Sequence, residues 1–273
     1  MIPEYAINEW RNTVHWVSLE QIEQDLVICR ALIELFNDEY LASHLAFRGA
    51  TALHKLFLNP QPRYSEDIDL VQIKAEPIKE TIIRISEVLS FLGKPVVKQK
   101  ANNNTLVFRY DSEIPPVVPV RLKIEINCRE HFNILGLVNI EFSVQNQWFS
   151  GKCLTTTYML DELLGTKLRA LYQRRKGRDL YDLYMALSLA EVNVDNILLC
   201  YRKYMEYAVG KPPAQKEFLL NMELKMKDEE FLGDTSMLLR GGELYDPQKA
   251  YEVVKSTLLD KLQTPFCGKG LRR

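Results

Sequence analysis

Cysteine is scarce in this sequence, and its few cysteines are not spaced as metal ligands or disulfide partners. They are Cys29, Cys128, Cys153, Cys200 and Cys267. An odd, scattered set without a Cys-x-x-Cys pair argues against a disulfide framework and against a zinc site. Histidine is equally sparse, and His44, His54 and His131 show no ligand spacing. We therefore expect free thiols, which suits a protein of the reducing cytoplasm.

Long apolar runs and a strong net charge are also missing. No stretch approaches the roughly 20 apolar residues of a membrane span, and the acidic N-terminal segment MIPEYAINEWRNTVHW does not resemble a secretory signal. The 35 basic and 36 acidic residues give a net charge of -1, so any nucleic-acid binding requires a local patch. Hydrophobic residues make up 47%, which predicts a soluble protein with a packed core.

Repeats and low-complexity linkers are absent, and the periodicity of the sequence divides the chain in two. A helix is predicted over 17–40, with Ser18 as its N-cap and Gln21 as a capping-box partner. Strand patterns are confined to roughly 45–156, and helices follow from Thr157. This segregation predicts an α+β protein, with a sheet domain over 1–156 and a helical domain over 157–273.

Two aspartates separated by one residue, Asp67 and Asp69, lie in a predicted strand over 65–71. Residues i and i+2 of a strand point to the same face, so both carboxylates project together while Ile68 and Leu70 turn toward the core. Neighbouring carboxylates resist joint ionisation unless a cation lies near, and Mg²⁺ prefers carboxylate and phosphate oxygens. The pair therefore suits a metal-bound triphosphate, and an exposed, merely solvated pair is the alternative.

Small residues precede this pair, between a predicted strand over 45–48 and a predicted helix over 52–57. In the turn Gly49-Ala50-Thr51, backbone N–H groups can approach a phosphate, and the helix N-terminus adds a favourable dipole. Thr51 is a candidate to donate its hydroxyl to that phosphate. The alternative is a tight turn in which Thr51 only caps the helix.

A third carboxylate, Glu125, lies in the best-defined strand pattern, over 121–127. Alternation places Glu125 on one face with Arg121, Lys123 and Asn127. Phosphoryl chemistry with two metals often uses a third acidic ligand or base from a neighbouring strand, so Glu125 is a candidate metal ligand or base. The alternative is a surface ladder of alternating charge, paired across strands.

Charged side chains also occur in apolar helical surroundings further along the chain. Lys167 interrupts a stripe of leucines at 4-3-4 spacing, and Asp182 lies in the apolar run over 180–187. Buried charges need partners, and both Lys167 and Arg178 are candidate partners of Asp182. Either these residues form a helix–helix salt bridge, or Lys167 binds the triphosphate while Asp179 or Asp182 orients it, forming the opposite wall of a nucleotide cleft. The basic run over 174–178 either attracts triphosphate or RNA or simply solvates a helix.

These motifs, in this order, resemble those of the AbiEii/AbiGii-type toxins, nucleotidyltransferases of the DNA polymerase β superfamily. Residues 47–53 (FRGATAL) and 63–70 (RYSEDIDL) look like the first family motif, and Lys-Ile-Glu at 123–125 is similar to the intervening one. The segments LGTK at 164–167 and RDLYD at 178–182 look like the helical Lys…Arg-Asp-x-x-Asp motif. One departure is Ala50, where the family usually has Gly or Ser, so that Thr51 is the nearest remaining hydroxyl.

The resemblance implies a nucleotidyltransferase-like mixed sheet with flanking helices, followed by a helical C-terminal domain. It implies Mg²⁺ (or Mn²⁺) as cofactor, a nucleoside triphosphate as substrate, an RNA acceptor such as tRNA, and an antitoxin encoded nearby. Asp67 and Asp69, with Glu125, are then metal ligands, and Lys167, Asp179 and Asp182 belong to the nucleotide cleft. The alternatives are nucleotidylation of a small molecule of the antibiotic type and a non-catalytic module that binds a partner.

Overall fold

The computed structural model describes residues 2–100 and 102–262, and Cys267 therefore lies outside the described residues. The described chain forms two compact units. The first contains residues 2–159 together with Met237–Glu243, and the second contains Leu160–Ser236 together with residues from 244 onward. The predicted boundary after residue 156 falls within the last strand of the first unit.

The first unit is built on a mixed sheet, which has seven strands within the described residues. Their order across the sheet is β3-β4-β5-β2-β1-β7-β6. Strand β2 is parallel to β5 and β1 is parallel to β7, while the other neighbouring strands are antiparallel. The strands are β1 (Leu45–Arg48), β2 (Asp67–Gln72), β3 (Val96–Lys100), β4 (Asn103–Asp111), β5 (Pro119–Asn127), β6 (Leu137–Val144) and β7 (Gly151–Tyr158).

Helices accompany the sheet in the first unit and make up the second. The first unit contains α1 (Glu4–Val14), α2 (Leu19–Asn37), α3 (Glu39–His44), α4 (Gly49–Ala52), which continues into a π-helical turn (Leu53–Phe57), and α5 (Lys79–Val88), followed by a 3₁₀ turn (Ser90–Leu92). The second contains α6 (Leu160–Gln173), α7 (Gly177–Leu189), α8 (Val194–Val209), α9 (Gln215–Lys225), α10 (Glu229–Gly233), α11 (Pro247–Thr257) and a 3₁₀ turn (Leu259–Lys261). The predicted α+β architecture, with helices following a sheet, is confirmed. No helix in the described part of the chain combines the length and hydropathy of a membrane-spanning segment.

The core of the first unit forms where α2 packs against β5, β6 and β7. Inward-facing strand residues are fully buried, among them Ile68 and Leu70 on β2 and Leu122, Ile124 and Ile126 on β5. Because alternate strand residues face opposite ways, this burial turns the polar residues of β2 and β5 to the other face of the sheet. The fold thereby presents a row of charged side chains on one face of the sheet.

Two predicted boundaries are wrong, and in both places a side chain explains the difference. The predicted helix over 17–40 ends at Asn37 because Asp38 caps a new helix, accepting a hydrogen bond from the Leu41 N–H at 3.0 Å. Thr157 is not helical, since β7 continues to Tyr158. The buried Thr157 hydroxyl donates to the Phe47 carbonyl at 2.7 Å, which ties β7 to β1.

A short segment from late in the chain, Met237–Glu243, belongs to the first unit. The Tyr64 N–H donates to the Leu238 carbonyl at 2.8 Å, and the Gln21 side chain donates to the Met237 carbonyl at 2.9 Å. Tyr64 lies in the loop that leads into β2, so this return segment stabilises the approach to Asp67.

Candidate functional site

The charged row predicted on β2 and β5 is present in the structure. Asp67 and Asp69 alternate with Ile68 and Leu70, which are 0% and 1% exposed. In the parallel pairing of β2 with β5, Asp67 lies opposite Lys123 and Asp69 lies opposite Glu125. The sheet register therefore places three carboxylates on one face, as the period of two predicts.

A lysine that sequence reasoning did not include among the site residues joins two of these carboxylates. The Lys123 Nζ lies 2.7 Å from Asp67 Oδ2 and 3.2 Å from Glu125 Oε1. The charged ladder considered as an alternative for Glu125 is thus present as an ion pair. Its sequence signal was the Lys-x-Glu spacing, which puts both side chains on one strand face, but the partnership with Asp67 depends on strand register.

The surroundings of the carboxylate face shift the ionisation of Asp67. Burial raises the pKa of Asp67 to about 6, the Lys123 ammonium opposes this shift, and the Asp69 charge adds to it. Within the described residues, no three His, Cys, Asp or Glu side chains are arranged to hold a metal ion. The oxygen donors are those that Mg²⁺ prefers, but in this structure the cation between Asp67 and Glu125 is Lys123.

Gly49 determines how closely Asp69 approaches the start of α4. A Cβ on Gly49 would lie 2.2 Å from the Asp69 Oδ2, and the Gly49 φ of +81° is itself a conformation that other residues rarely adopt. Glycine is therefore required here by both the backbone conformation and the contact. Sequence reasoning assigned Gly49 to phosphate approach, whereas the structure shows it in contact with a catalytic candidate.

The segment Gly49-Ala50-Thr51 forms the first residues of α4 instead of a free turn. Thr51 is 1% exposed, and its hydroxyl donates to the Asp67 carbonyl and lies 2.8 Å from the Ser65 hydroxyl. A hydroxyl has one proton to donate, so donation by Thr51 to a phosphate would require this bond to break, and that role stays a prediction. In this structure, Thr51 fixes the start of β2, next to the Asp67 side chain.

In the second unit, Lys167 lies between two buried carboxylates. Its Nζ is 2.8 Å from Asp182 Oδ2 and 3.3 Å from Asp179 Oδ1, while the Lys167 side chain is 6% exposed and both aspartates are fully buried. Arg174 adds two further hydrogen bonds to Asp179, at 2.5 and 2.6 Å. The helix–helix salt bridge is therefore present between α6 and α7, and the triphosphate role of Lys167 stays a prediction.

Arg178, the second candidate partner of Asp182, pairs with a different carboxylate. Its Nε lies 3.4 Å from Asp234 Oδ2, and its backbone N–H donates to the same carboxylate at 3.1 Å. The rest of the basic run is also paired, with Arg174 on Asp179, Arg175 on Asp228 and Lys176 near Asp234. The run is therefore largely neutralised within its own unit, which weakens its interpretation as a phosphate-attracting patch.

Solved structures with the same fold cover almost the whole chain. JHP933 from Helicobacter pylori is 17% identical, covers 90% of this chain and 94% of its own, and superposes with a TM-score of 0.55. A putative nucleotidyltransferase from H. pylori is 16% identical over 90% and 98%, with a TM-score of 0.52. MenT4, a nucleotidyltransferase toxin from Mycobacterium tuberculosis, is 15% identical over 94% and 99%, with a TM-score of 0.56. At these identities the likeness establishes the fold alone.

The family follows from the sequence. A search of curated proteins gave no significant match. The sequence profile of the nucleotidyl transferase AbiEii toxin of Type IV toxin–antitoxin systems matches residues 30–253, which include the carboxylate face and the Lys167 cluster. The chain therefore belongs to the AbiEii family of nucleotidyltransferase toxins.

Proposed function

We propose that this protein transfers a nucleoside monophosphate from a nucleoside triphosphate to an acceptor, using divalent metal held by Asp67, Asp69 and Glu125. The observation that carries the proposal is the shared face of these carboxylates on β2 and β5, in a chain of a nucleotidyltransferase toxin family. Carboxylates fixed on strands are held more rigidly than loop residues, as metal-assisted transfer requires.

The metal would be Mg²⁺ or Mn²⁺, and the donor set fits it because all three candidate ligands are carboxylates. When bound, such an ion supplies charge neutralisation for the triphosphate and the departing pyrophosphate. The chain's own contribution is to hold the ligands in place. Thr51 anchors the start of β2 through the Asp67 carbonyl, and Gly49 leaves room for the Asp69 carboxylate.

The remaining nucleotide contacts are proposed from the family motifs. Gly49 and Ala50 would bring backbone close to the phosphates, and Lys167 with Arg178 would contribute positive charge. Asp179 and Asp182 hold Lys167 in its present position. Because Lys167 is already paired with two carboxylates, its proposed role requires that the phosphate share or replace one of these partners.

The acceptor proposed is RNA, with tRNA as the leading candidate, and the proposed place of action is the cytoplasm, where triphosphates and tRNA are available. The family belongs to Type IV toxin–antitoxin systems, so an antitoxin encoded by a neighbouring gene is the expected partner. Transfer to RNA by a toxin of this kind would inhibit growth by altering the acceptor.

The test is incubation of the purified protein with each labelled nucleoside triphosphate, Mg²⁺ and total RNA. We expect label in the RNA fraction, with a preference for one nucleotide. Label in a small-molecule fraction would instead indicate an antibiotic-type transferase. Absence of transfer to RNA, protein or small molecules by folded protein would contradict the proposal.

Variants of the carboxylates separate catalysis from binding. Asp67→Ala and Asp69→Ala are expected to lower transfer by at least about 100-fold and to abolish toxicity in cells. Each variant removes a carboxylate that would hold the metal, and with the metal the charge stabilisation of the transition state is lost. The matched control is Asp111→Ala, an exposed aspartate on β4, which is expected to retain wild-type activity. Full toxicity of both site variants would show that the protein acts by binding alone.

A further inference from the structure

The side chain of Lys123 is held by two carboxylates. It is one-third exposed, and its ammonium reaches Asp67 on the neighbouring strand and Glu125 two residues along its own strand. On the other neighbouring strand, β4, the residue opposite Lys123 is Val107, which carries no charge that could compete for the lysine. The lysine is therefore directed to the two carboxylates that the proposed function assigns to metal binding.

Three carboxylates on one face repel each other unless positive charge lies among them. In this structure, that charge next to Asp67 and Glu125 is the ammonium of Lys123. A divalent ion bound by the same oxygens would have to approach within about 2.0–2.6 Å of them. An ammonium at 2.7 and 3.2 Å from those oxygens competes directly for that space.

We propose that Lys123 is an internal counter-ion, which offsets part of the negative charge of Asp67 and Glu125 in the absence of metal and is displaced from them when the divalent cation binds. This inference rests on the proposed function. Lys123 is then a positioning residue: it keeps the Asp67 and Glu125 carboxylates close together before metal binds, and its competition with the metal lowers the metal affinity.

The displacement is measurable by acylation of lysines in the wild-type protein, with each site quantified by mass spectrometry. An ammonium held between two carboxylates is protected, because the reagent attacks only a free amine. We expect Lys123 acylation to increase when Mg²⁺ or Mn²⁺ is added without nucleotide. Lys98, an exposed lysine on the edge strand β3, is the internal reference and should not respond. An unchanged Lys123 in metal-saturated protein would overturn the proposal.

Metal affinity gives a second, independent measurement that does not depend on activity. Lys123→Met keeps the length of the side chain and removes its charge, so Mn²⁺ should bind roughly fivefold tighter or more, the worth of two partly exposed ion pairs. Lys98→Met is the matched control and should change affinity by less than about twofold. Affinity that is unchanged or weaker in Lys123→Met, in protein that retains its circular dichroism spectrum, would contradict the inference.

Metal binding, acylation and nucleotide transfer together distinguish failure of the proposed function from failure of the counter-ion inference. If neither the wild type nor Asp67→Ala binds metal, the metal-dependent part of the proposed function is wrong, and the counter-ion inference is wrong as well. If the wild type binds metal and transfers nucleotide, but Lys123 neither changes its acylation nor affects affinity, only the inference is wrong. Lys123 would then be a fixed structural ion pair of the strand ladder.

Discussion

At the scale of single residues, Gly49 combines a left-handed backbone conformation with close contact to the Asp69 carboxylate. We predict that Gly49→Ala lowers nucleotide transfer by at least about tenfold, because a methyl group 2.2 Å from Asp69 Oδ2 must move that carboxylate, and small misplacements of catalytic groups are costly. The left-handed φ should also lower the free energy of unfolding by about 1–2 kcal/mol. The measurements are labelled-nucleotide transfer and urea denaturation.

Gly93 provides the matched control for this substitution. It has the same φ of +81°, and a Cβ there would have no neighbour within 4 Å. Gly93→Ala is therefore expected to lower the free energy of unfolding without loss of transfer. Equal activity of the two variants would show that the contact between Gly49 and Asp69 has no catalytic importance.

The carboxylate face was predictable because a period of two is a local property of a strand. Asp67, Asp69 and Glu125 needed only alternation to be placed on exposed faces. Lys123 and Thr51 could not be assigned in this way. Their partners, Asp67 Oδ2 and the Asp67 carbonyl, lie on other elements, and such contacts depend on sheet register and on the path of the loop before β2.

At the scale of secondary-structure elements, the ion cluster between α6 and α7 has consequences for mutagenesis. We predict that Lys167→Met lowers the free energy of unfolding by about 3–5 kcal/mol, because it leaves Asp179 and Asp182 buried without that cation. Lys176→Met, at a half-exposed lysine 3.7 Å from Asp234, should cost less than about 1 kcal/mol. Chemical denaturation measures both.

A loss of activity in Lys167→Met therefore has to be compared with the free energy of unfolding of the same variant. If the variant is as stable as the wild type and yet inactive, Lys167 acts on the substrate and contributes little to packing. If it unfolds, the helix–helix salt bridge accounts for the effect. The sequence alone left these alternatives open, because an isolated lysine in a leucine stripe is compatible with both.

Element boundaries were less predictable than element types. The helix over 17–40 had a continuous apolar stripe, and only the Asp38 side chain, by capping α3, divides it. Asparagine and aspartate occur widely in loops and helices, so a cap of this kind is recognisable only when the partner N–H is known.

At the scale of the whole molecule, Glu23 links stability to pH. It is 1% exposed, its carboxylate accepts hydrogen bonds from the Glu113 N–H at 3.1 and 3.3 Å, and burial, with a contribution from Glu20, raises its pKa from 4.5 to about 7. Between these values the folded protein binds more protons than the unfolded chain, so stability falls as pH rises. The free energy of unfolding that is lost through ionisation of Glu23 is zero below about pH 4.5 and reaches its full value above about pH 7.

We predict that Glu23→Gln removes this dependence, since the amide resembles the protonated carboxyl. Relative to the wild type, the variant should gain about 2–3 kcal/mol of unfolding free energy between pH 5 and pH 8, measured by urea denaturation at both values. Glu34→Gln, at a more accessible glutamate of the same helix, is the control. Parallel pH profiles for wild type and Glu23→Gln would show that Glu23 is ionised in the folded protein at both values.

The return of Met237–Glu243 to the first unit means that neither unit is a contiguous stretch of the chain. A fragment ending at Met159 would lack the backbone that pairs with Tyr64, next to the strand that begins at Asp67. Exchange of domains between relatives, or complementation by two separately expressed halves, would therefore succeed only if the donated N-terminal piece carried its own copy of this distant segment. Gene fusions and natural recombination that cut once near residue 159 are for the same reason expected to yield a sheet unit without support for the start of strand β2.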